Sequence, residues 1–348
     1  MIPERFHAIT DQYWRQKIAV IGDFCLDRYL EIDSSKQEIS IETGLPVHNV
    51  VRVRSQPGGA GTILNNLVAL GIGEIFPVGF CGDDGEGYEL QRALKKMERV
   101  RLDYFLQTDQ RRTFTYCKPL RIEPGQPPIE HSRLDSKNWS PTPAVVQGRM
   151  IDSSAQAAGQ ADALILLDQV DTPETGVITP RLLEVLGCIA HELPELLMLA
   201  DSRRGLRKWP PVCFKMNAAE LYALAGTSPG AGLDEIRASA LGLARQQGKP
   251  VFTTLAERGM LAASPDGSTA HAPALPVRGP IDIVGAGDAV TANLAAALAC
   301  GATLQEALEL AMAAASIVIH QLGTTGTASV AQIHELLLGG RAQPPPPK

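Results

Sequence analysis

The sequence predicts an α/β protein: a doubly wound, mostly parallel sheet with helices on both faces, plus a small antiparallel β lid. Three observations carry this. From about residue 143 onward, short apolar runs alternate with helical patterns, as expected for parallel strands covered on both sides. Two earlier stretches, residues 30–54 and 101–135, instead alternate polar and apolar residues, as strands with one wet face do. A glycine-rich turn at 285–287 then opens into an uninterrupted helical pattern, and the last third of the chain is helical.

In chain order, KIAVIGD (17–23) is an apolar run closed by Gly and Asp and reads as a buried strand. YLEID and VHNVVRVRS follow as half-exposed strands. PGGAGTILNNLVALG has glycines at its start, apolar residues at helical spacing and Gly71 at its end, and reads as a helix. EIFPVGF is a strand and GEGYELQRALKKM a helix. LDYFLQ, RTFTYCKPL and IEHSRLD supply further lid strands. ADALILLD, LLMLAD, VCFKMN and PVFTTLA are then strands separated by helices at AVVQGRMIDSSAQAAG, PRLLEVLGCIAHEL, AAELYALAG and DEIRASALGLARQQG. The expected division is a core of residues 1–29, 55–100 and 136–340, a lid of 30–54 and 101–135, and a disordered Pro-rich tail at 341–348.

Composition narrows the function. The 348 residues are 45% hydrophobic and 20% charged, which is ordinary for a globular protein with a large core. A formal charge of −6 gives no general attraction to nucleic acid or to an anionic membrane, so neither is expected as a partner. The six cysteines are scattered, without a Cys-x-x-Cys pair, and the seven histidines show no metal-ligand spacing. Reduced thiols, the lack of a long apolar run and a charged first segment, MIPERFHAITDQYWRQK, lead to the expectation of a cytoplasmic protein.

PIDIVGAGDAVTANLAAALACG (280–301) is the most informative stretch. Its glycines permit a tight turn with outward amides, and the helix that follows adds its positive end, so Gly285, Ala286 and Gly287 form a candidate anion hole. Asp288 lies in the first helical turn, where it could accept a proton from a hydroxyl. Phosphoryl transfer needs that pairing of anion-stabilising donors with a base. A turn whose Asp merely caps a helix is the plain structural alternative. The stretch lacks the third glycine of a dinucleotide loop and the Gly-Lys-Ser/Thr of a P-loop.

Other candidates follow the same logic. Asp23 and Asp27 bracket the end of a buried strand, where they can reach a crevice and accept from hydroxyls or serve in turns and caps. Gly58 and Gly59 permit close approach of backbone to a ligand, or simply start a helix. Asn217 and Glu220 are one helical turn apart, a spacing that suits either hydrated Mg²⁺ or a capping box. Asp168 and Asp201 end strands and rank second. Arg133 and Asp135 read as a surface pair, and His131, His191 and His271 as surface or satisfied core residues.

The order GD…GG…NxxE…GAGD resembles the ribokinase-like, or PfkB, carbohydrate kinases over residues 17 to 338. Asp282 to Asp288 match their D-T-x-G-A-G-D signature, with Ile283 in the Thr position. Within the family, IGDFCLDRY, PVHNVVRV with PGGAG, HSRLD and AAASIVIHQLGTTG are most similar to the heptose-phosphate kinase domains of bacterial ADP-heptose synthesis. The resemblance implies ATP and Mg²⁺ as cofactors, with K⁺ as a further ion beside Asp282. It implies Asp288 as base, sugar contacts from Asp23, Asp27, Gly58, Gly59 and Asn66, and nucleotide contacts from Asn217, Glu220, Thr254, Glu257 and Gly259, with Glu220 holding Mg²⁺ through water. The chain departs from it at Thr62 and Met312, each standing where an Asn is usual, and at DQVD (168–171), which lacks the expected Tyr and Lys-Gly. The expected function is ATP-dependent phosphorylation of a sugar or sugar-phosphate hydroxyl, by a homodimer joined through the lid. A nucleoside or vitamin kinase and a catalytically silent sugar- or nucleotide-binding relative are the alternatives, and a dinucleotide-dependent oxidoreductase comes last.

Overall fold

The computed structural model describes residues 1–123, 125–126, 128–226 and 230–339; the expected Pro-rich tail lies outside the described residues. In chain order the strands are β1 (Lys17–Gly22), β2 (Phe24–Asp33), β3 (Glu38–Ile39), β4 (Pro46–Val47), β5 (Val50–Gly59), β6 (Glu74–Gly82), β7 (Phe105–Thr108) and β8 (Phe114–Ile122). They continue with β9 (Ile129–Glu130), β10 (Ala163–Asp168), β11 (Leu197–Ser202), β12 (Cys213–Asn217), β13 (Val251–Thr254), β14 (Met260–Ala263) and β15 (Thr269–Ala272). The helices are α1 (Pro3–Thr10), α2 (Ala60–Leu70), α3 (Gly85–Leu94), α4 (Ala144–Ala158), α5 (Pro180–Glu192), α6 (Ala218–Ala225), α7 (Leu233–Gln247), α8 (Ala286–Ala299), α9 (Leu304–Val318) and α10 (Val330–Leu338).

Nine strands form the main sheet in the order β15-β14-β13-β12-β11-β10-β1-β6-β7, and those from β13 to β7 run parallel. Beyond β13, strands β14 and β15 add an antiparallel edge that the sequence pattern left unassigned. β1 shows why both faces must be covered. Ile18 and Val20 point into a core shared with α1, α2, α8 and α9, while Ala19 and Ile21 point into a core shared with α4, α5 and α7. After β1 the chain winds toward β7, and from β10 onward it winds the other way. The two directions part between β1 and β10, and in such sheets the crevice for a ligand opens at the carboxyl ends of the strands there.

The second sheet has the order β5-β2-β8-β9. It differs in two ways from the expectation. Its central pair, β2 and β8, is parallel, although β2–β5 and β8–β9 are antiparallel. It also begins at Phe24 and reaches Gly59, whereas Phe105–Thr108 pairs with β6 at the edge of the main sheet. Only Asp23 separates β1 from β2, so one nearly continuous strand serves both sheets and no compositional break marks the passage.

Gly22 closes β1 against β10. A Cβ there would lie 2.3 Å from the Leu167 carbonyl oxygen, a rigid backbone atom of the paired strand. Gly22→Ala is therefore expected to destabilise the protein by roughly 2–3 kcal/mol or more, read as a lower urea midpoint, because the sheet must part to admit one methyl group.

Candidate active site

The parallel strands deliver Asp23, Asp168, Asp201, Asn217 and Thr254 to one rim, since each stands at or just beyond a strand's carboxyl end. Helix α8 begins over the same rim. Its N-cap, Gly285, has φ 83°, a left-handed conformation in which a side chain is strained. The Ala286 amide donates to the Ile283 carbonyl at 3.2 Å, so it is spent on the turn and does not belong to an anion hole. The amides of Gly287 and Asp288 have no acceptor among the described residues, and the positive end of the helix is theirs.

Asp288 is half-buried and accepts no hydrogen bond from a described residue. Burial pushes its pKa up to about 7; the nearby Asp201 charge adds to this, and Lys215 partly offsets it. Lys215 was missed in reading the sequence. It projects from the middle of β12, is 7% exposed, and its Nζ donates to Asp201 Oδ2 at 2.6 Å. The same oxygen accepts from Thr291 Oγ1 of α8 at 3.2 Å, which ties strand, rim and helix together. A charge inside the apolar run VCFKMN was the available signal.

On the small-sheet side, Asp27 is 7% exposed and has no hydrogen bond or ion pair among the described residues. Burial raises its pKa, Lys118 and Arg133 lower it, and Asp135 raises it again. Gly58 lies against it: a Cβ there would come within 2.6 Å of Asp27 Oδ2. Gly59, at φ 57°, brings the chain into α2, where the Ala60 amide donates to the Asp23 carbonyl. A buried carboxylate lacking a protein partner, beside bare backbone, is suited to accept from ligand hydroxyls.

Several expected contacts are differently employed. Asp23 faces inward: its Oδ2 accepts from the Gln169 and Val170 amides at 2.9 and 3.2 Å, and its Oδ1 from Val177 at 2.7 Å. It therefore anchors the 169–177 loop instead of projecting to a sugar; burial and the Asp168 charge raise its pKa to about 6 against those three bonds. Asn66 is fully buried in α2, its amide donating to the Thr62 carbonyl at 3.0 Å, so it is a core residue. Gly259 shapes the β13–β14 turn, where a Cβ would stand 2.0 Å from the Ala272 carbonyl oxygen.

Asn217 and Glu220 form a reciprocal capping box at the start of α6, which uses one oxygen of each side chain. Thr254 pairs with Asn217 in the sheet register and donates to the Met216 carbonyl at 3.4 Å; Glu257 is exposed in the following turn. The Asp282 amide donates to the Ile319 carbonyl, and its Oδ1 accepts from the Val284 amide at 3.0 Å. Met312 packs half-buried against the core. Asp168 accepts from Ser202 and from Arg204, at 2.8 and 2.9 Å.

Among the described residues no group of three or more His, Cys, Asp or Glu is arranged to hold a metal ion. The surroundings still fit Mg²⁺ carried on nucleotide phosphates, since that ion keeps most of its waters and needs only one or two carboxylates. Among the described residues no helix is long and apolar enough to cross a membrane.

Asp23→Ala would leave three loop amides without an acceptor. It is expected to lower unfolding free energy by about 3 kcal/mol, measured by urea denaturation, with the melting temperature falling in the absence of any ligand.

Comparison with known proteins agrees with this geometry. The profile of the pfkB family carbohydrate kinases matches residues 15–331. The chain is 31% identical over 320 residues to a bifunctional protein HldE of Rhodopseudomonas palustris, and 32% over 329 residues to that of Hyphomonas neptunium. These alignments cover 92% and 94% of the chain but only 63% and 64% of those relatives' lengths. The fold is similar to that of Arabidopsis thaliana ribokinase complexed with ribose and ATP, with a TM-score of 0.68 at 19% identity over 93% of this chain and 99% of that one. It is likewise similar to Escherichia coli phosphofructokinase-2 in complex with potassium, with a TM-score of 0.69 at 17% identity over 92% and 97% of the two chains. The chain belongs to the pfkB family of carbohydrate kinases.

Proposed function

We propose that the protein transfers the γ-phosphoryl group of ATP to a hydroxyl of a sugar phosphate, with Asp288 as general base. The observation that carries this reading is the pairing of a carboxylate poised near neutrality with the two free amides of Gly287 and Asp288 on the same helical turn. Asp27, facing the site from the small sheet, would hold the acceptor's hydroxyls, and the bare backbone at Gly58–Gly59 would let the sugar approach. The acceptor oxygen forms its bond to the γ-phosphorus as the bond to the bridging oxygen of ADP breaks, and the hydroxyl proton passes to Asp288. Mg²⁺ supplies charge neutralisation on the phosphates; Glu220, with one oxygen outside its capping box, is the residue to orient its water shell. Asp282 and the turn at Ile283–Val284 are the surface offered to K⁺, a reading supported by the potassium complex of the phosphofructokinase-2 neighbour.

A phosphorylated acceptor is favoured over a neutral sugar by the cations on the small-sheet side. Arg133 and Lys137 flank the Tyr116 ring at 4.7 and 6.0 Å. Lys137 and Arg203 share a single carboxylate, Asp171, and Lys118 stands over Tyr29. Arg133, Lys137 and Lys118, with Arg203 from just beyond β11, thus outnumber Asp27, Asp135 and Asp171 by one, leaving positive charge for an anion. The similarity to proteins named HldE points the same way. A neutral nucleoside or vitamin acceptor gains nothing from this charge.

ADP release with ATP·Mg²⁺ and a panel of sugars, hexose and heptose phosphates, nucleosides and vitamins tests the reading; a sugar phosphate should give the highest kcat/KM, and turnover confined to nucleosides would sink it. Asp288→Asn is expected to lower kcat at least about a hundredfold while ATP still binds. Because the base must be ionised, activity should fall as pH drops through about 7 and level off above it, an acid limb read from kcat/KM against pH.

Val51 and Val53 of β5 in the small sheet, with Ile39 of β3 and Ile41 and Leu45 of the adjoining β3–β4 hairpin, are from 46% to fully exposed and form one apolar surface. Its proposed occupant is the same face of a second copy, which would make a homodimer and leave each sheet free to cover its site and exclude water. Sedimentation at micromolar concentration should give a dimer, and Ile41→Glu with Val51→Glu a monomer; a wild-type monomer would remove the proposal.

A further inference from the structure

We propose that Lys215 is a further catalytic residue, its ammonium contacting the transferred γ-phosphoryl group in front of the Gly287 and Asp288 amides. This rests on the kinase reading above and adds a protein cation that neither the glycine turn nor the base supplies.

Position is the first argument. Lys215 Nζ lies 3.3 Å from where a Cβ on Gly287 would stand, so the ammonium fills the space that this glycine leaves open at the start of α8. It therefore borders the same small volume as the two unpartnered amides. An ammonium carries three donors, and only one is used here, toward Asp201. The other two have no acceptor among the described residues, although the side chain is 8% exposed. Phosphate oxygens held against the Gly287 and Asp288 amides would satisfy them with charge-assisted bonds.

Charge is the second. Burial lowers the pKa of this lysine, but Asp201, by charge and hydrogen bond, together with Asp288 and Glu220, more than compensates and leaves it raised. The residue is thus cationic throughout the working range, as an electrostatic stabiliser must be. Asp201, itself braced by Thr291, acts as a positioning residue that aims the ammonium across the rim. A purely structural pair explains less, because a buried ion pair is a weak source of stability and an apolar pair would fill β11 and β12 as well.

The test uses the full chain and two probes, the non-hydrolysable analogue AMP-PNP·Mg²⁺ and ADP·Mg²⁺, titrated by calorimetry. Lys215→Met combined with Asp201→Asn removes both charges, so no buried carboxylate is left unpaired. The double variant should lose about tenfold or more in AMP-PNP affinity, roughly 1.4 kcal/mol, while its ADP affinity stays within about threefold. Its kcat with the best acceptor of the panel should fall about a hundredfold, and Asp201→Asn should not restore it to the single variant Lys215→Met. If the double variant does not fold, Lys215→Gln alone is read by the same AMP-PNP to ADP ratio. A ratio unchanged from wild type would overturn the proposal, and with Asp288→Asn inactive it would leave the kinase reading standing. Wild-type protein that binds neither nucleotide would overturn both.

Discussion

The site depends on one electrostatic constraint: three carboxylates, Asp27, Asp201 and Asp288, converge on a rim where the only buried ammonium among the described residues is Lys215. In a low-dielectric cleft, like charges this close cannot all ionise freely. Lys215 takes up the Asp201 charge directly, while Asp288, desolvated by burial first and pressed further by the Asp201 and Asp27 charges, carries a raised pKa. On the proposed reading, a carboxylate that would be a feeble base at its ordinary pKa is thereby matched to neutral pH, without any special residue type.

Much of the fold was legible in the sequence because its strongest rule is periodicity. ALILLD and KIAVIG are continuous apolar runs since β10 and β1 are covered on both faces, and their shortness and aliphatic content separate them from the alanine-rich buried run of α8. The parallel pairing of β2 with β8 was not legible. The two strands are separated by some eighty residues, and alternation in each tells which face is wet but not which neighbour it meets. The hairpin β14–β15 was missed because MLAA and TAHA are short and carry little alternation.

The site was legible to the extent that local geometry determines it. GAGD predicts a helix start with free amides, and those of Gly285, Gly287 and Asp288 have no acceptor among the described residues; the Ala286 amide is claimed by the Ile283 carbonyl three residues back, which the way the turn closes decides. Asp23 and Asp27 are four residues apart and chemically identical, yet one is consumed by three loop amides and the other has no partner. The distinction lies with the 169–177 loop, some 146 positions away in sequence, which no local pattern reveals. Lys215 was hidden for a different reason: a lysine in a strand reads as an edge or surface residue unless the strand is known to be central.

Because a single residue joins β1 to β2, the small sheet is not hung on flexible tethers but grows out of the middle of the large one. A tilt of that sheet would bend the chain at Asp23, whose carboxylate is fastened by three loop amides, and at the passage from Gly59 into α2. Asp27 lies on the small sheet beyond that bend, whereas Asp288 belongs to the main body. On the proposed reading, the carboxylate that would grip the acceptor and the one that would deprotonate it are thus carried by different bodies. Were the small sheet to tilt, their separation would register it, and chemistry would be confined to the posture in which the two meet.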